Sequence, residues 1–233
     1  MREGHGKLVG FSHCGHSNER SPCRGAYDES SPQRVVSGTP GRPLSAELSE
    51  QLVGVAVDIL AEEGWGRLNS DRIAARAHAG KAGIYRRWPT MAALARHAFD
   101  QFSIVSLPDD TGSLREDLVA LASRWTRPLD REERALASVV GAARHEELLR
   151  AGLDAALVRP LAEAVAAIGE RAVNRGEPIE ADRVALLGVV LEAFWWQRYT
   201  AAGDGAMTRE QVESVVDDVL LPIVLPACEG ASV

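Results

Sequence analysis

From residue 45 onward, apolar positions recur at helical spacing. Leu48, Leu52, Val55, Ile59 and Leu60 form one stripe between Ser45 and Glu63, and Gly64 is placed to end that helix. Ile73, Ala74 and Ala77 give a short second helix one small apolar face, and Ile84 with Trp88, four residues apart, does the same for a third. Leu94, Ala95, Ala98, Phe99 and Phe102 predict a connecting helix from Thr90 to about Val105. The run Leu107, Pro108, Asp109, Asp110, Thr111, Gly112 breaks that helix and marks a domain boundary. Ser113 with Glu116 then makes a capping box, opening a helix toward Arg127 that Pro128 stops. Two more helices are expected, from about Arg131 to Leu149 and from about Leu153 to Arg175. Pro160 kinks or restarts the second of these, and Gly176 and Pro178 close it.

The last two helices carry more apolar surface than one buried face can use. Glu180 to Ala202 is apolar on nearly every side from Val184 to Leu191, and Phe194, Trp195, Trp196 and Tyr199 follow. Thr208 and Gln211 cap a final helix whose stripe is Val212, Val215, Val216, Val219, Leu220 and Ile223. Two such neighbours predict a two-fold four-helix interface between copies of the chain, with Val190, Leu191, Val212, Val216, Leu220 and Ile223 as its candidate contacts. Alanine, leucine, glutamate and arginine dominate, and period-two apolar runs are few, so the expected fold class is all-α.

The 233 residues are 45% hydrophobic, enough for one large core or two smaller ones. No apolar stretch approaches the roughly 20 residues of a membrane span, the longest being flanked by Arg183 and Glu192, so no membrane partner is expected. Cys14, Cys23 and Cys228 are too sparse for a disulfide framework and suit a reducing cytoplasm. Residues 1–44 hold Gly, Ser, Pro and Arg with neither a periodic apolar face nor a signal-peptide core, and are expected to be a disordered extension: a passive tail or an arm toward DNA. His13, Cys14, His16 and Cys23 match no standard zinc spacing, so neither a metal nor another cofactor is expected.

A net charge of −7 argues against a nucleic-acid partner until its distribution is considered. Residues 103–233 carry thirteen basic groups against twenty-two acidic ones, whereas Gly64 to Ala98 holds Arg67, Arg72, Arg76, Lys81, Arg86, Arg87 and Arg96 against Asp71 alone. A small basic face on an acidic body is the footprint of a DNA reader. With Ile84 and Trp88 turned inward, the third helix shows Lys81, Ala82, Gly83, Tyr85, Arg86 and Arg87 to solvent. Arginine pairs with guanine edges or phosphate, lysine supplies a point charge, and a tyrosine hydroxyl reaches phosphate oxygens.

The segments RIAARA, GKAGIYRRW and PTMAAL, in that order, are similar to the DNA-binding domain of the tetracycline-repressor (TetR) family of transcriptional regulators. The segment from Arg171 to Tyr199, with the TREQVESVVDDVLLPIV that follows, resembles the family's C-terminal regulatory domain. The resemblance implies an N-terminal three-helix helix-turn-helix domain with connecting helix over residues 45–106, a helical ligand-binding and dimerisation domain over 107–226, and a tail over 227–233. It also implies that Lys81, Ala82, Gly83, Tyr85, Arg86 and Arg87 lie in or beside the major groove, and that Asn69 or Ser70 caps the preceding helix and touches phosphate. The implied function is a ligand-responsive repressor that binds a pseudo-palindromic operator as a homodimer and is released when an effector moves the helix Thr90 to Val105.

Three positions depart from the family pattern: His78 stands where the turn carries glycine, Gly83 where a threonine is usual, and Met91 where a phosphate-contacting lysine is usual. They keep open a second reading, a helical homodimer that binds a small molecule or a protein with weakened or lost operator affinity. A catalytic reading has little support. His145, Glu146 and Glu147 are adjacent on the chain, and no HExxH, phosphate loop or nucleophile elbow occurs, so the chain is not expected to be an enzyme. His145 joins Phe102, Trp125, Phe194, Trp195 and Trp196 as candidate lining for an effector pocket.

Overall fold

A computed structural model describes residues 45–226, and within them all regular structure is helical. The N-terminal extension, with His13, Cys14, His16 and Cys23, and the tail from residue 227 lie outside the described residues. The first four helices are α1 (Ala46–Glu63), α2 (Ser70–Ala77), α3 (Lys81–Arg87) and α4 (Met91–Phe99). Side chains of Ser45, Asn69 and Thr90 accept from backbone N–H groups of Leu48, Arg72 and Ala93, so α1, α2 and α4 each start on a predicted type of cap. Leu52, Ile59, Leu60, Ile73, Ile84, Leu94 and Phe99 are buried in a common core.

The connecting helix is shorter than the sequence predicts: α4 ends at Phe99 instead of running to Val105. Beyond it, the β-branched pair Ile104 and Val105 sits between two serines, and Pro108 disfavours helix at Leu107. Residues 102–112 therefore form a non-helical strap whose Ile104 is buried. Side chains of the second domain hold its far end: Arg171 donates to the Pro108 carbonyl at 2.8 Å, and Arg175 pairs with Asp110 at 2.7 Å and with buried Asp117 at 3.0 Å. Thr111 donates to Asp117 from its backbone N–H at 2.9 Å and its hydroxyl at 2.7 Å. Burial pushes the Asp117 carboxyl up, and the Thr111 and Arg175 hydrogen bonds outweigh it, leaving the group below the usual carboxylate range.

The second domain comprises α5 (Leu114–Ala122), α6 (Arg131–Val139), α7 (Glu147–Leu153), α8 (Arg159–Asn174), α9 (Val184–Thr200), α10 (Arg209–Val215) and α11 (Leu221–Val224). Its breaks fall differently from the expectation. The helix starting at Arg131 stops at Val139, where Val140 and Gly141 follow, and a 3-10 turn carries the chain to α7. From Glu147 to Asn174 the helix then continues through a π turn at Asp154–Val158, just ahead of Pro160. Proline lacks an N–H, and the turn before it widens so that Arg159 N–H bonds to the Asp154 carbonyl five residues back. A second π turn, Val216–Leu220, precedes Pro222 in the same way.

The two domains meet along α1 with α6 and α4 with α7. Arg131, in the first turn of α6, bonds Asp58 at 2.6 Å and the Gly54 carbonyl at 2.7 Å. Gly152 brings α7 close to α4: a Cβ there would lie 2.6 Å from Cδ2 of Phe99. In the second domain, α8 and α9 approach at Gly169, where a Cβ would lie 2.6 Å from Val184 Cγ1.

The predicted contact set on the last helices needs correction. Leu191, Val212, Val216 and Leu220 are buried within the single chain, packed in its own core, while Val190 and Ile223 are half-buried. The large apolar side chains left exposed on these helices are Leu186 at 52%, Val189 at 63% and Val219 at 40%. The excess that the sequence pattern detected is real, but its free face lies one helical register away from the stripe named.

Candidate nucleic-acid interface

The helix-turn-helix is held by α1. Arg72 pairs with Glu63, and Arg76 pairs with Glu62 at 3.0 Å and Glu63 at 2.7 Å, so two of the basic groups in the sequence cluster are neutralised by the end of α1. Gln51 of α1 donates to the last carbonyl of α2, that of Ala77, at 3.2 Å. Between α2 and α3, His78 takes the left-handed conformation, φ 50° and ψ 39°, that the turn requires and glycine accepts more readily. Ala79 N–H closes the turn on the Ala74 carbonyl at 3.0 Å.

Asn69 is the α2 cap, whereas Ser70 is a helical residue and is buried. The Tyr85 hydroxyl donates to Ser70 Oγ at 3.1 Å, tying α3 to the first turn of α2 while the Tyr85 ring stays 51% exposed. Lys81 and Ala82 are exposed at the start of α3. The hydrogen bond and charge of Asp71 raise the Lys81 ammonium above its usual value, so it is cationic at any physiological pH. Both partners are exposed, and such a pair exchanges readily for a phosphate. Arg86 is exposed, and neither it nor Arg67, at the end of the 3-10 turn after α1, makes an ion pair among the described residues.

Arg87 differs from its expected place beside the groove. Its Nε donates to Ser49 Oγ at 2.8 Å, its Nη1 to the Gly83 carbonyl at 2.9 Å and its Nη2 to the Ser45 carbonyl at 3.4 Å. The guanidinium therefore folds back along α3 and lashes it to the start of α1. A Cβ at Gly83 would lie 3.6 Å from Arg87 Nη1, an ordinary contact, so the arrangement does not itself require glycine there. The residue opposite Arg87, Ser49, gave no signal in the sequence. Met91 is half-buried against the core, as an apolar side chain at that position should be.

The six candidate pocket residues are not brought together. Trp125, Phe194 and Trp195 pack as a cluster, with ring centroids 5.4 Å apart for Trp125–Phe194 and 5.3 Å for the T-shaped Trp125–Trp195 pair. Phe102 stacks on Phe99 at 5.4 Å, Trp196 donates to Glu192 at 2.8 Å, and His145 is exposed where a 3-10 turn ends. A groove of about 580 Å³ between α8 and α9 is lined by other residues, including Ala162, Val165, Gly169, Val173, Val184 and Gly188.

A three-helix head presenting one short cationic helix, joined to a larger helical body, defines a helix-turn-helix regulator. Residues 52–98 match the model of bacterial regulatory proteins of the tetR family, and residues 108–219 match the tetracyclin repressor-like C-terminal domain. The chain is 36% identical over 185 residues to the DNA-binding transcriptional repressor TetR of Mycobacteroides abscessus, covering 76% of this chain and 94% of that protein. It is 32% identical over 190 residues to an uncharacterised HTH-type transcriptional regulator of Mycobacterium bovis, covering 81% of this chain and 92% of that protein. In fold it is similar to Salmonella enterica GusR, with a TM-score of 0.59 at 14% identity over 76% of this chain and 95% of that one. The reduced form of E. coli NemR gives a TM-score of 0.56 at 14% identity over 77% of this chain and all of that one, 100%. The chain belongs to the TetR family. It is a DNA-binding transcriptional regulator.

Proposed function

We propose that the chain is a cytoplasmic, non-catalytic repressor that binds a pseudo-palindromic operator as a homodimer and leaves it when a small effector binds the C-terminal domain. The observation that carries the DNA reading is α3: Lys81, Ala82 and Arg86 are exposed together on a short helix whose other sides are tied to α1 and α2. Small residues at its start allow close approach to the groove floor, and Arg86 and Lys81 supply base or phosphate contacts. Asn69 and Arg67 flank it and suit the adjacent backbone. Dimerisation is supported by the exposed apolar side chains Val173, Leu186 and Val189 beside the small-residue groove of α8 and α9. In such a dimer the two α3 helices must sit about 34 to 36 Å apart to meet successive major grooves.

The test is a gel shift of the purified chain on the DNA upstream of its own gene, followed by footprinting. A protected site with two-fold symmetry, lost in Arg86→Ala, is the expected result. Absence of any shift at low salt would favour the second reading, a helical dimer without operator affinity, which His78, Gly83 and Met91 keep open.

A further inference from the structure

We propose that the cavity of about 300 Å³ beneath the strap binds a small organic carboxylate, held by Arg124 and Arg127 and covered by Ser106. The cavity lies between the strap, through Ile104, Ser106 and Pro108, and the end of α5, through Ala120 and Leu121, with Ser123, Arg124 and Arg127 of the 3-10 turn that follows it. Ile104 and Leu121 give it an apolar wall.

Arg124 and Arg127 belong to a charge cluster that does not balance. Arg124 bonds Asp130 at 2.8 Å and lies 3.6 Å from Glu133, and Arg127 reaches the same two carboxylates at 3.1 and 3.2 Å. Arg198, 1% exposed, approaches the fully buried Glu133 from the other side at 3.6 Å. Three guanidinium groups face two carboxylates, leaving one positive charge in a partly dehydrated site. Hydrogen bonding is incomplete as well: among the described residues the buried Nε atoms of Arg124 and Arg198, the Nε1 of neighbouring Trp125 and Oε1 of Glu133 have no hydrogen-bond partner, three donors against one acceptor. Burial pushes the Arg198 guanidinium down from its usual value, and the neighbouring charges of Arg127 and Arg124 push the same way against that of Glu133.

A single added anion balances this cluster, and a planar carboxylate matches the guanidinium fork. A dianion would overshoot the charge, and a neutral molecule would leave it unchanged. Ser106 adds a hydroxyl donor, whereas the Ser123 hydroxyl is already given to the Ala120 carbonyl at 2.7 Å. Because Ser106 and Pro108 belong to the strap, an occupant joins the strap to α5. The regulatory consequence rests on the effector-released repressor proposed above, whereas binding itself is measured without DNA.

Isothermal titration of the full chain with benzoate, benzamide and inorganic phosphate tests it. Benzoate should bind saturably, one per chain. Benzamide and the variant Arg127→Gln should each weaken binding by about tenfold or more, the loss of one charge-assisted contact. Glu133→Gln, which raises the excess to two positive charges, should tighten it. Arg127 is 40% exposed, so its variant should fold, and a thermal melt verifies this. Benzamide binding as tightly as benzoate, phosphate binding more tightly, or Arg127→Gln binding unchanged would each overturn the carboxylate site. A gel shift without ligand tests the DNA reading separately. Benzoate binding that leaves operator affinity unaltered would overturn the regulatory consequence while upholding the site.

Discussion

Replacing Gly152 with alanine should strain the contact through which the second domain touches α4. An alanine Cβ would lie 2.6 Å from Phe99 Cδ2, 3.4 Å from Arg96 Cδ and 3.6 Å from Phe99 Cβ. Phe99 is fully buried, so its ring cannot swing out and the helices must part. Alanine in a helix interior gains about 0.5 to 1 kcal/mol over glycine, and overpacking a tight contact costs about 1 to 3 kcal/mol, so the expected balance is a loss of roughly 1 to 2 kcal/mol. For a chain of this size that is a fall of about 2 to 8 °C in melting temperature. Gly54→Ala is the matched control. It too sits inside a helix, but among the described residues nothing lies within 4 Å of its added Cβ, so it should gain about 0.5 to 1 kcal/mol. Melts at one fixed protomer concentration, with urea titrations beside them, measure both. Because α4 follows α3 directly, Gly152→Ala should also change operator affinity and Gly54→Ala should not. If both variants melt above the wild type, or Gly152→Ala leaves stability and operator binding alone, the close approach of α7 to α4 is not as described.

Arg86→Ala should weaken operator binding, and each lost phosphate contact should make the salt slope shallower by about 0.9; gel shifts at several salt concentrations give both. His78→Gly removes the side chain from a left-handed residue at φ 50° and should stabilise the chain by about 0.5 to 1 kcal/mol in urea titrations, with operator affinity retained. Leu186→Glu combined with Val189→Glu places two carboxylates on the exposed face of α9. Sedimentation velocity should then show a well-folded monomer, whereas an undisturbed dimer would move the interface elsewhere. Asp117 has a folded-state pKa below its unfolded one, so its contribution is present above the ordinary carboxylate range and lost as pH falls through the lowered value. Asp117→Asn should therefore cost about 1.5 to 3 kcal/mol at pH 7, and the cost should shrink progressively as pH falls below the ordinary carboxylate range, as melts over falling pH would report.

Where a helix presents one regular stripe, as α1 does, spacing with the cap at Ser45 and the stop at Gly64 locates it in the sequence to within a residue. Spacing finds a buried stripe without saying what buries it. Val212, Val216 and Leu220 form the regular stripe that the sequence predicts, but the chain's own core covers it where a second copy was expected. The recognition surface was legible in residue type and illegible in partnership. Nothing in the order of residues announces that Arg87 reaches Ser49, thirty-eight positions earlier, or that Arg72 and Arg76 are neutralised from α1. The ionic cluster of Arg124, Glu133 and Arg198 was missed for the same reason, since its members come from three separate segments.

The end of α4 at Phe99 changes what can travel between the two halves of the molecule. A helix reaching Val105 would act as a rod, resisting compression as well as extension. Residues 102–112 instead behave as a tether, anchored by Arg171 and Arg175 at one end and by buried Ile104 along the way. A tether bears tension and buckles under load. Movements of the body toward the head must then pass through the packed α4–α7 and α1–α6 contacts, while the tether sets only how far the two can separate. Induction by separation and induction by compression become mechanically distinct in this chain, and a lengthened tether, made by inserting glycines after Val105, would relax the first and leave the second intact.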